Sequence, residues 1–589
     1  MRNDTACPYA GLTGKLRPMA TSDRLSLAEI KKGGVHYTPP ELASFLAKNV
    51  LAHVSHGRGL RILDPACGDG GLLEAVAFQL PSDIRHASTF FGMEHDGVAL
   101  QEAGRRLRSS VRLSNCELIE ADFLDWAGHF PQSHLFDVAG WPDEFDVVIA
   151  NPPYVRTQVM GAEKSRRLAA QFGLSGRVDL YHPFALGMTQ VLSNGGVLGL
   201  LCSNRFLSVQ SGASLRKALL HEYELYDIYD LGDTKLFAAA VLPAIVIGKK
   251  CRKARTQDCR FTRVYEFRSE NGRNIAEYPT VLSALDADAQ GPVRVGNATF
   301  EIERGNLALP EHQAEPWRVS SPEQERWLAT IYQNAPLTFA DLVKIRVGIK
   351  TTADNVFIRS DWHLLPSELQ PESELLLPVL SNNIAAPWWP MSEESRPHVL
   401  YTHSMRDGKR VTVNIDGFPR AKQYLESHRK QLAGRKYVID AGRKWFEIWV
   451  PQNPGDWTRP KVVFSDISAV PKFFLDRSGS VVDGNCYWFT SEQDDHLYLL
   501  LAVANSSFIM RFYDAVCGNK LYAGRRRFIT QYVRRFPVPD PSSPIAKDII
   551  KKAKRLCAQA GTSEKARTLI TELDELIWNA FGLIKEVAR

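Results

Sequence analysis

From Arg61 to Ile247 the chain alternates short apolar runs with amphipathic stretches, and this alternation limits the possible fold more than any other property of the sequence. The first run, Arg61-Ile62-Leu63, is followed by a glycine-rich turn and then by Leu72-Leu73-Glu74-Ala75-Val76-Ala77, a pattern that reads as strand, turn, helix. The runs Thr89-Phe90-Phe91-Gly92-Met93, Asp146-Val147-Val148-Ile149-Ala150, Gly196-Val197-Leu198-Gly199-Leu200-Leu201 and Ala244-Ile245-Val246-Ile247 repeat the theme, with helical segments at 97–108 and 180–192 between them. The order predicts a doubly wound α/β sheet with helices on both faces, and such sheets bind ligands beyond the carboxyl ends of their strands.

Two motifs fall at those strand ends. Asp64-Pro65-Ala66-Cys67-Gly68-Asp69-Gly70-Gly71 follows the first strand. Glycines there let the backbone approach a ligand, and the next helix begins with unpaired N–H groups. An acidic residue, Glu94, ends the second strand, where a nucleotide ribose would offer its hydroxyls. Asp122-Phe123 follows the run Glu117-Leu118-Ile119, and the three sites together describe a nucleoside-shaped slot. A Walker-type phosphate loop is missing from the sequence, so triphosphate chemistry has no support.

The second motif, Asn151-Pro152-Pro153-Tyr154, follows the strand at 146–150 directly. Its prolines fix the backbone and restrict Asn151 to an extended conformation, so that the Asn151 side chain and the Pro152 carbonyl stand as rigid acceptors at the crevice. Rigid acceptors suit an amine. The lone pair of an exocyclic purine amine is delocalised into the ring, and two acceptors bonding its hydrogens favour a more tetrahedral, more nucleophilic nitrogen. Tyr154 offers a flat face on which a planar base taken out of a duplex can stack.

With these residues in place the sequence resembles the gamma-class adenine DNA methyltransferases of the TaqI and Eco57I type. Gly34-Val35-His36-Tyr37-Thr38-Pro39-Pro40 resembles their N-terminal cofactor motif, and Asp179-Leu180-Tyr181 through Asn194-Gly195-Gly196-Val197 their helix-turn-strand after the catalytic loop. Phe237 with Leu242-Pro243-Ala244-Ile245-Val246-Ile247 resembles the segment whose aromatic residue stacks on the flipped adenine. The likeness implies a Rossmann-like class I methyltransferase domain that moves a methyl group from S-adenosylmethionine to the N6 amine of adenine in double-stranded DNA. It places Thr38, Asp64, Pro65, Ala66, Gly68, Glu94, Asp122 and Phe123 around the cofactor, with Glu94 at the ribose and Asp122 and Phe123 at the adenine ring. Asn151, Pro152, Pro153, Tyr154 and Phe237 become the catalytic set. Two departures stand out: His36-Tyr37 before Thr38, where smaller or acidic residues are common, and Ala238-Ala239-Ala240 after Phe237, where polar residues often sit.

After about Glu270 the alternation stops, and the chain becomes rich in Trp, Tyr, Arg, Pro and Asn. The expected division is a catalytic domain at 1–270, a mixed α+β target-recognition domain at 271–545 and a helical segment at 546–589. The net charge is +6. Residues 1–250 hold 25 Lys and Arg against 26 Asp and Glu, and the remainder holds 47 against 40, so the basic excess lies in the second half, as a polyanionic partner requires. Arg346 through Asp354, Arg459-Pro460-Lys461-Val462-Val463 and Ala504-Asn505-Ser506-Ser507 resemble the family's recognition region. Lys520-Leu521-Tyr522-Ala523-Gly524-Arg525-Arg526-Arg527-Phe528 interleaves cations with aromatics, as phosphate and base contacts do. The nine cysteines form no C-x-x-C pair or zinc-spaced cluster, so neither a disulfide framework nor a metal is expected. The N-terminus lacks a secretory pattern and no stretch approaches eighteen apolar residues, which predicts a cytoplasmic protein that does not enter a membrane. About thirty residues precede the cofactor motif, too few for a nuclease domain, so a restriction endonuclease partner would be a separate chain. The remaining alternatives are an RNA base or a protein glutamine amide as substrate of the same loop, and a non-catalytic nucleic-acid-binding scaffold, against which the intact Asn151 loop, Glu94 and Asp122 all speak.

Overall fold

A computed structural model describes residues 37–585, apart from 56–58, 128–140, 155–161, 175–178, 238–241, 252–257, 268–274, 309–314, 393–395, 519–520, 522–523, 560 and 562. The segments Gly34–His36 and Ala238–Ala240, and Lys520, Tyr522 and Ala523, lie outside the described residues. The chain separates into two compact units. One comprises Met1–Ser203, Ser214–Tyr226 and Lys235–Thr256, and the other Asn204–Ala213, Asp227–Thr234 and Gln257–Arg589.

The first unit is built on β1 (Arg61–Asp64), β2 (Thr89–Glu94), β3 (Cys116–Glu120), β4 (Phe145–Ala150), β5 (Leu192–Ser203), β6 (Tyr223–Asp230, of which Tyr223–Tyr226 belong to this unit) and β7 (Pro243–Lys250), in the order β3-β2-β1-β4-β5-β7-β6. The pairs β1–β2, β2–β3, β1–β4 and β4–β5 are parallel, and β5–β7 is antiparallel. These strands carry near-continuous apolar runs because helices cover both faces of a parallel sheet: in β4 only Asp146 is not fully buried. The helices Pro40–Leu51, Gly71–Gln79, Gly97–Ser109 and Tyr181–Val191 supply that cover. Helix Gly97–Ser109 starts where the Asp96 side chain accepts from the Val98 and Ala99 N–H groups, which satisfies two donors the helix cannot. The order reverses at β1, with β2 on one side and β4 on the other. The register pairs Leu63 with Phe91 and with Val148. This brings the ends of β1, β2 and β4 to one edge, the crevice that such a switch point opens.

In the second unit, residues Asp227–Asp230 of β6 run parallel to β8 (Arg260–Phe267), which pairs antiparallel with Ala298–Ala308. Segment Asn204–Ala213 belongs here because Trp317 N–H donates to the Leu207 carbonyl at 2.7 Å and Gln531 Nε2 to the Ser208 carbonyl at 2.9 Å. Two four-stranded sheets follow, one made of Arg346–Val347, Cys486–Phe489, Lys461–Ser465 and Phe473–Asp476, the other of Ile358–Arg359, His398–Leu400, Leu376–Leu380 and Val481–Val482. The helices Asp494–Ala504, Ser507–Val516, Pro544–Cys557 and Glu564–Ala580 share one core with Val462, Phe464 and Phe489. The helices after residue 545 therefore pack inside this unit. Among the described residues no single helix is long and apolar enough to cross a membrane. The bent pair Asp494–Ala504 and Ser507–Val516, which meets at 73°, contributes its apolar faces to that core.

The structure changes the meaning of the arginine cluster. Arg526 grips Asp514 through Nε and Nη2, both at 2.6 Å, and Arg527 reaches Asp466 at 3.2 and 3.3 Å. Two of its three arginines are already neutralised by carboxylates 12 and 61 residues away in sequence, which a reading of local composition could not see.

Candidate active site

The carboxyl ends of β1, β2 and β4 surround a cavity of about 410 Å³. Twelve of the thirteen residues expected at the site line it: Thr38, Asp64, Pro65, Ala66, Gly68 and Glu94, with Asp122, Phe123, Asn151, Pro152, Pro153 and Tyr154. Phe237, the thirteenth, is buried beside it, its ring edge-on to Tyr154 with centroids 6.3 Å apart. The wall also includes His95, Asp96, Lys164 and Phe184, which the motifs did not single out. Asp96 was legible as the cap of the predicted helix at 97–108, and Phe184 sits within the predicted helix at 180–192. Nothing local marks Lys164.

Asp64 ends β1 with only 1% of its surface exposed, and its Oδ1 accepts from the Ala66 N–H at 3.1 Å. Burial, opposed by that N–H and reinforced by Glu94 and Asp69, pushes its carboxyl up to about 8. The chain then turns through Gly68 at φ +51°, where a Cβ would come within 3.2 Å of the Tyr37 ring. The left-handed backbone there favours glycine, and a Cβ would also press on the Tyr37 ring. At Gly70, φ +80°, an added Cβ would meet the Ala103 backbone at 3.1 Å, so both the left-handed backbone and the close approach of the helix Gly97–Ser109 favour glycine here.

Glu94 ties the turn to β2. Its Oε2 accepts from the Gly68 N–H at 3.0 Å, and its Oε1 accepts from the N–H groups of His95 and Asp96 at 2.9 and 3.0 Å and lies 2.7 Å from His95 Nδ1. Burial pushes this carboxyl up, but the His95 side chain and the backbone donors outweigh it and hold Glu94 below its ordinary value. The same contact raises His95. A carboxylate oxygen has about two acceptor positions. Oε1 is saturated, whereas Oε2 accepts one hydrogen bond among the described residues, and Glu94 lines the cavity. Asp122 caps the short helix Phe123–Ala127 through the Leu124 N–H at 2.9 Å. Behind it Phe123 and Phe184 stack at 5.4 Å and 28°, a rigid apolar wall.

Asn151 follows β4 immediately. Its Nδ2 donates to Thr38 Oγ1 at 3.1 Å, and its Oδ1 accepts from the Tyr154 hydroxyl at 2.6 Å. Thr38 and Tyr154 thereby clamp the amide from both ends. Proline at 152 and 153 removes backbone alternatives, so the Asn151 oxygen is held in place. Burial, with Cys202 and Tyr181 nearby, drives the Tyr154 hydroxyl well above its usual range, so it is a donor at any physiological pH. The arrangement can hold a planar amine against two fixed acceptors beside a pocket with one wall of carboxylates and another of aromatic rings. Among the described residues no group of three His, Cys, Asp or Glu side chains could hold a metal ion.

A mostly parallel sheet of this order, with its pocket at the β1–β4 reversal and Asn-Pro-Pro-Tyr directly after β4, defines a Rossmann-like methyltransferase. The Eco57I restriction-modification methylase family matches residues 100–237. The chain is 38% identical over 570 residues to the Type II methyltransferase M.BanIII of Aneurinibacillus aneurinilyticus, covering 95% of this chain and 98% of that protein. It is 26% identical over 576 residues to the Type II methyltransferase M.PaeR7I of Pseudomonas aeruginosa, covering 92% of each. The Type IIL restriction-modification enzyme MmeI, solved in complex with DNA, superposes with a TM-score of 0.61 at 14% identity, over 96% of this chain and 78% of that one. The chain belongs to the Eco57I-like restriction-modification methyltransferases.

Proposed function

We propose that this protein methylates the N6 amine of an adenine flipped out of duplex DNA at a specific sequence, with S-adenosylmethionine as donor, as the modification component of a restriction-modification system. The observation that carries the reading is the clamped amide of Asn151 at the mouth of a nucleoside-sized cavity.

The cavity suits the donor. Its volume is that of a small-molecule site, Glu94 Oε2 accepts from a ribose hydroxyl, and the stacked Phe123 and Phe184 face an adenine ring beside Asp122. Asp64, buried at the carboxyl end of β1 and lining the cavity, gives its oxygens to the donor's amino-acid end. When bound, S-adenosylmethionine supplies a methyl group activated by its sulfonium. The chain's own residues act on the acceptor. Asn151 Oδ1 and the Pro152 carbonyl accept the two amine hydrogens and favour the tetrahedral nitrogen. Tyr154 stacks on the extruded base, and its hydroxyl fixes Asn151. Phe237 packs against the Tyr154 ring and closes the base site.

An RNA base or a glutamine amide would fit the same loop, but the likeness to Type II methyltransferases continues through the second unit, which favours DNA. The test is modified-base sequencing of DNA from cells expressing the chain, alongside Asn151→Ala. The expected result is N6-methyladenine at one sequence context, lost in the variant, with cofactor affinity of the purified variant unchanged. Unmethylated DNA from the wild type, or wild-type turnover by the variant, rejects the proposal.

A further inference from the structure

In the second unit, His403–Arg406 and Lys409–Thr412 form an antiparallel hairpin that pairs with no third strand among the described residues. Its turn, Asp407-Gly408, takes φ +52° and +72°, as the tight two-residue turns matching the strand twist do. Six consecutive residues, Met405 to Arg410, are exposed. An isolated two-stranded ribbon is marginal in water, so this one is held at its base. Val413 N–H donates to the Thr402 carbonyl at 3.0 Å, Arg410 Nη1 to the Gln452 carbonyl at 2.9 Å, and buried His403 stands 3.6 Å from Glu447.

Pairing decides what each face does. Met405 lies opposite Arg410, and Arg406 opposite Lys409, and successive pairs point to opposite faces. Arg410 is tied to the loop at 452, and Met405 lies against Gly455 of the same loop. Ser404, Arg406, Lys409 and Val411 therefore form the face turned away from it. Arg406 and Lys409 pair with no carboxylate among the described residues, in contrast to Arg526 and Arg527. Charged edges also guard against strand-to-strand association, but one lysine on the rim of a larger sheet achieves that, without a projecting ribbon whose own stability is marginal.

We propose that the outward face of this hairpin enters the major groove of the duplex, with Arg406 reading a base edge and Lys409 meeting a phosphate. This rests on the DNA-methylating function proposed above. A two-stranded ribbon fits a groove about 12 Å wide, and an arginine fork matches the paired acceptors of guanine. Unneutralised cations opposite a polyanion supply the complementarity.

The experiment compares the full-length wild type, Arg406→Ala and Lys409→Ala, checked for unchanged melting, in DNA binding across salt concentrations and in modified-base sequencing. Arg406→Ala is expected to relax preference at one position of the methylated site by about ten- to a hundredfold. Lys409→Ala is expected to weaken binding to all sequences alike and make the salt slope shallower by about one. If the wild type methylates a defined site and both variants keep that site, affinity and slope, the hairpin assignment is overturned while the function stands. A shallower slope for Lys409→Ala with an unchanged site for Arg406→Ala also overturns it, because phosphate contact alone does not put the ribbon in the groove. A wild type that methylates no DNA overturns the functional reading itself.

Discussion

Replacing Glu94 by glutamine tests the cofactor site most directly, because the structure separates its effect on stability from its effect on binding. The carboxylate, 11% exposed, accepts three backbone N–H groups. An amide keeps the His95 and Asp96 donors by placing its oxygen at the Oε1 position, which turns its NH2 toward the Gly68 N–H, donor against donor. One hydrogen bond to a charged group, worth about 1.5–3 kcal/mol, is lost from the free protein. In the proposed binding mode a ribose hydroxyl still accepts from the amide, so binding loses only the difference between a charged and a neutral hydrogen bond, about 1–1.5 kcal/mol, or about five- to tenfold in affinity. Glu94→Ala removes the partner altogether and should weaken binding by about ten- to 150-fold. Calorimetric titration with S-adenosylhomocysteine and its 2′,3′-dideoxy analogue closes a cycle. The wild type should lose affinity for the dideoxy compound, and Glu94→Ala should not discriminate between the two. Since Glu94 is held below its ordinary value, the stability gap between wild type and Glu94→Gln should be full above pH about 4.3 and shrink as pH falls through the lower folded value. Undiminished discrimination between the two ligands by a well-folded Glu94→Ala would refute the reasoning.

Tyr154→Phe keeps the ring beside Phe237 but loses the bond to Asn151, so turnover should fall about fivefold for a bond worth about 1 kcal/mol. Tyr154→Ala also removes the stacking face and should lose more on fully paired DNA than on a mismatched target that opens easily; equal losses in single-turnover assays would count against base flipping. Asp64, shifted up to about 8, keeps in the folded state a proton that the unfolded chain releases near pH 4, so its contribution to stability falls as pH rises through that window. Asp64→Asn should accordingly gain in melting temperature over the ligand-free wild type from pH 5 to pH 8, and a constant offset would contradict the assignment. Arg526→Ala breaks a two-point grip on Asp514 and should cost about 1–3 kcal/mol in denaturant unfolding, with the salt slope of DNA binding unchanged; the opposite pattern would return that arginine to the DNA surface.

The sheet of the first unit was legible because its strands are local runs and the residues that line the cavity stand at their ends. Arg61–Leu63, Thr89–Met93 and Asp146–Ala150 became β1, β2 and β4 within a residue or two, and the two segments read as helices became Gly97–Ser109 and Tyr181–Val191. The predicted boundary at 270 was less direct. The contact units part near 256, and the second takes Asn204–Ala213 and Asp227–Thr234 from within the first half, since those segments are bonded to partners such as Trp317, Tyr265 and Gln531, as far as 323 residues away in sequence. Antiparallel β7, inserted between β5 and β6, left no mark in a run of apolar residues that fits either direction of pairing.

By itself, then, the sequence determined the period of each element, the glycines that the turn after β1 requires, and the residue types at the strand ends, because periodicity, φ > 0 and side-chain chemistry are properties of a few neighbouring residues. Tertiary structure alone decided that Thr38 and Tyr154 clamp Asn151 from two sides, that one oxygen of Glu94 is saturated while the other accepts one hydrogen bond among the described residues, and that Arg526 and Arg527 are neutralised while Arg406 and Lys409 are not. Each of these depends on hydrogen bonds or charge pairs between groups that folding brings together from distant parts of the chain, and short-range forces register only the partner that actually arrives within about 3 Å.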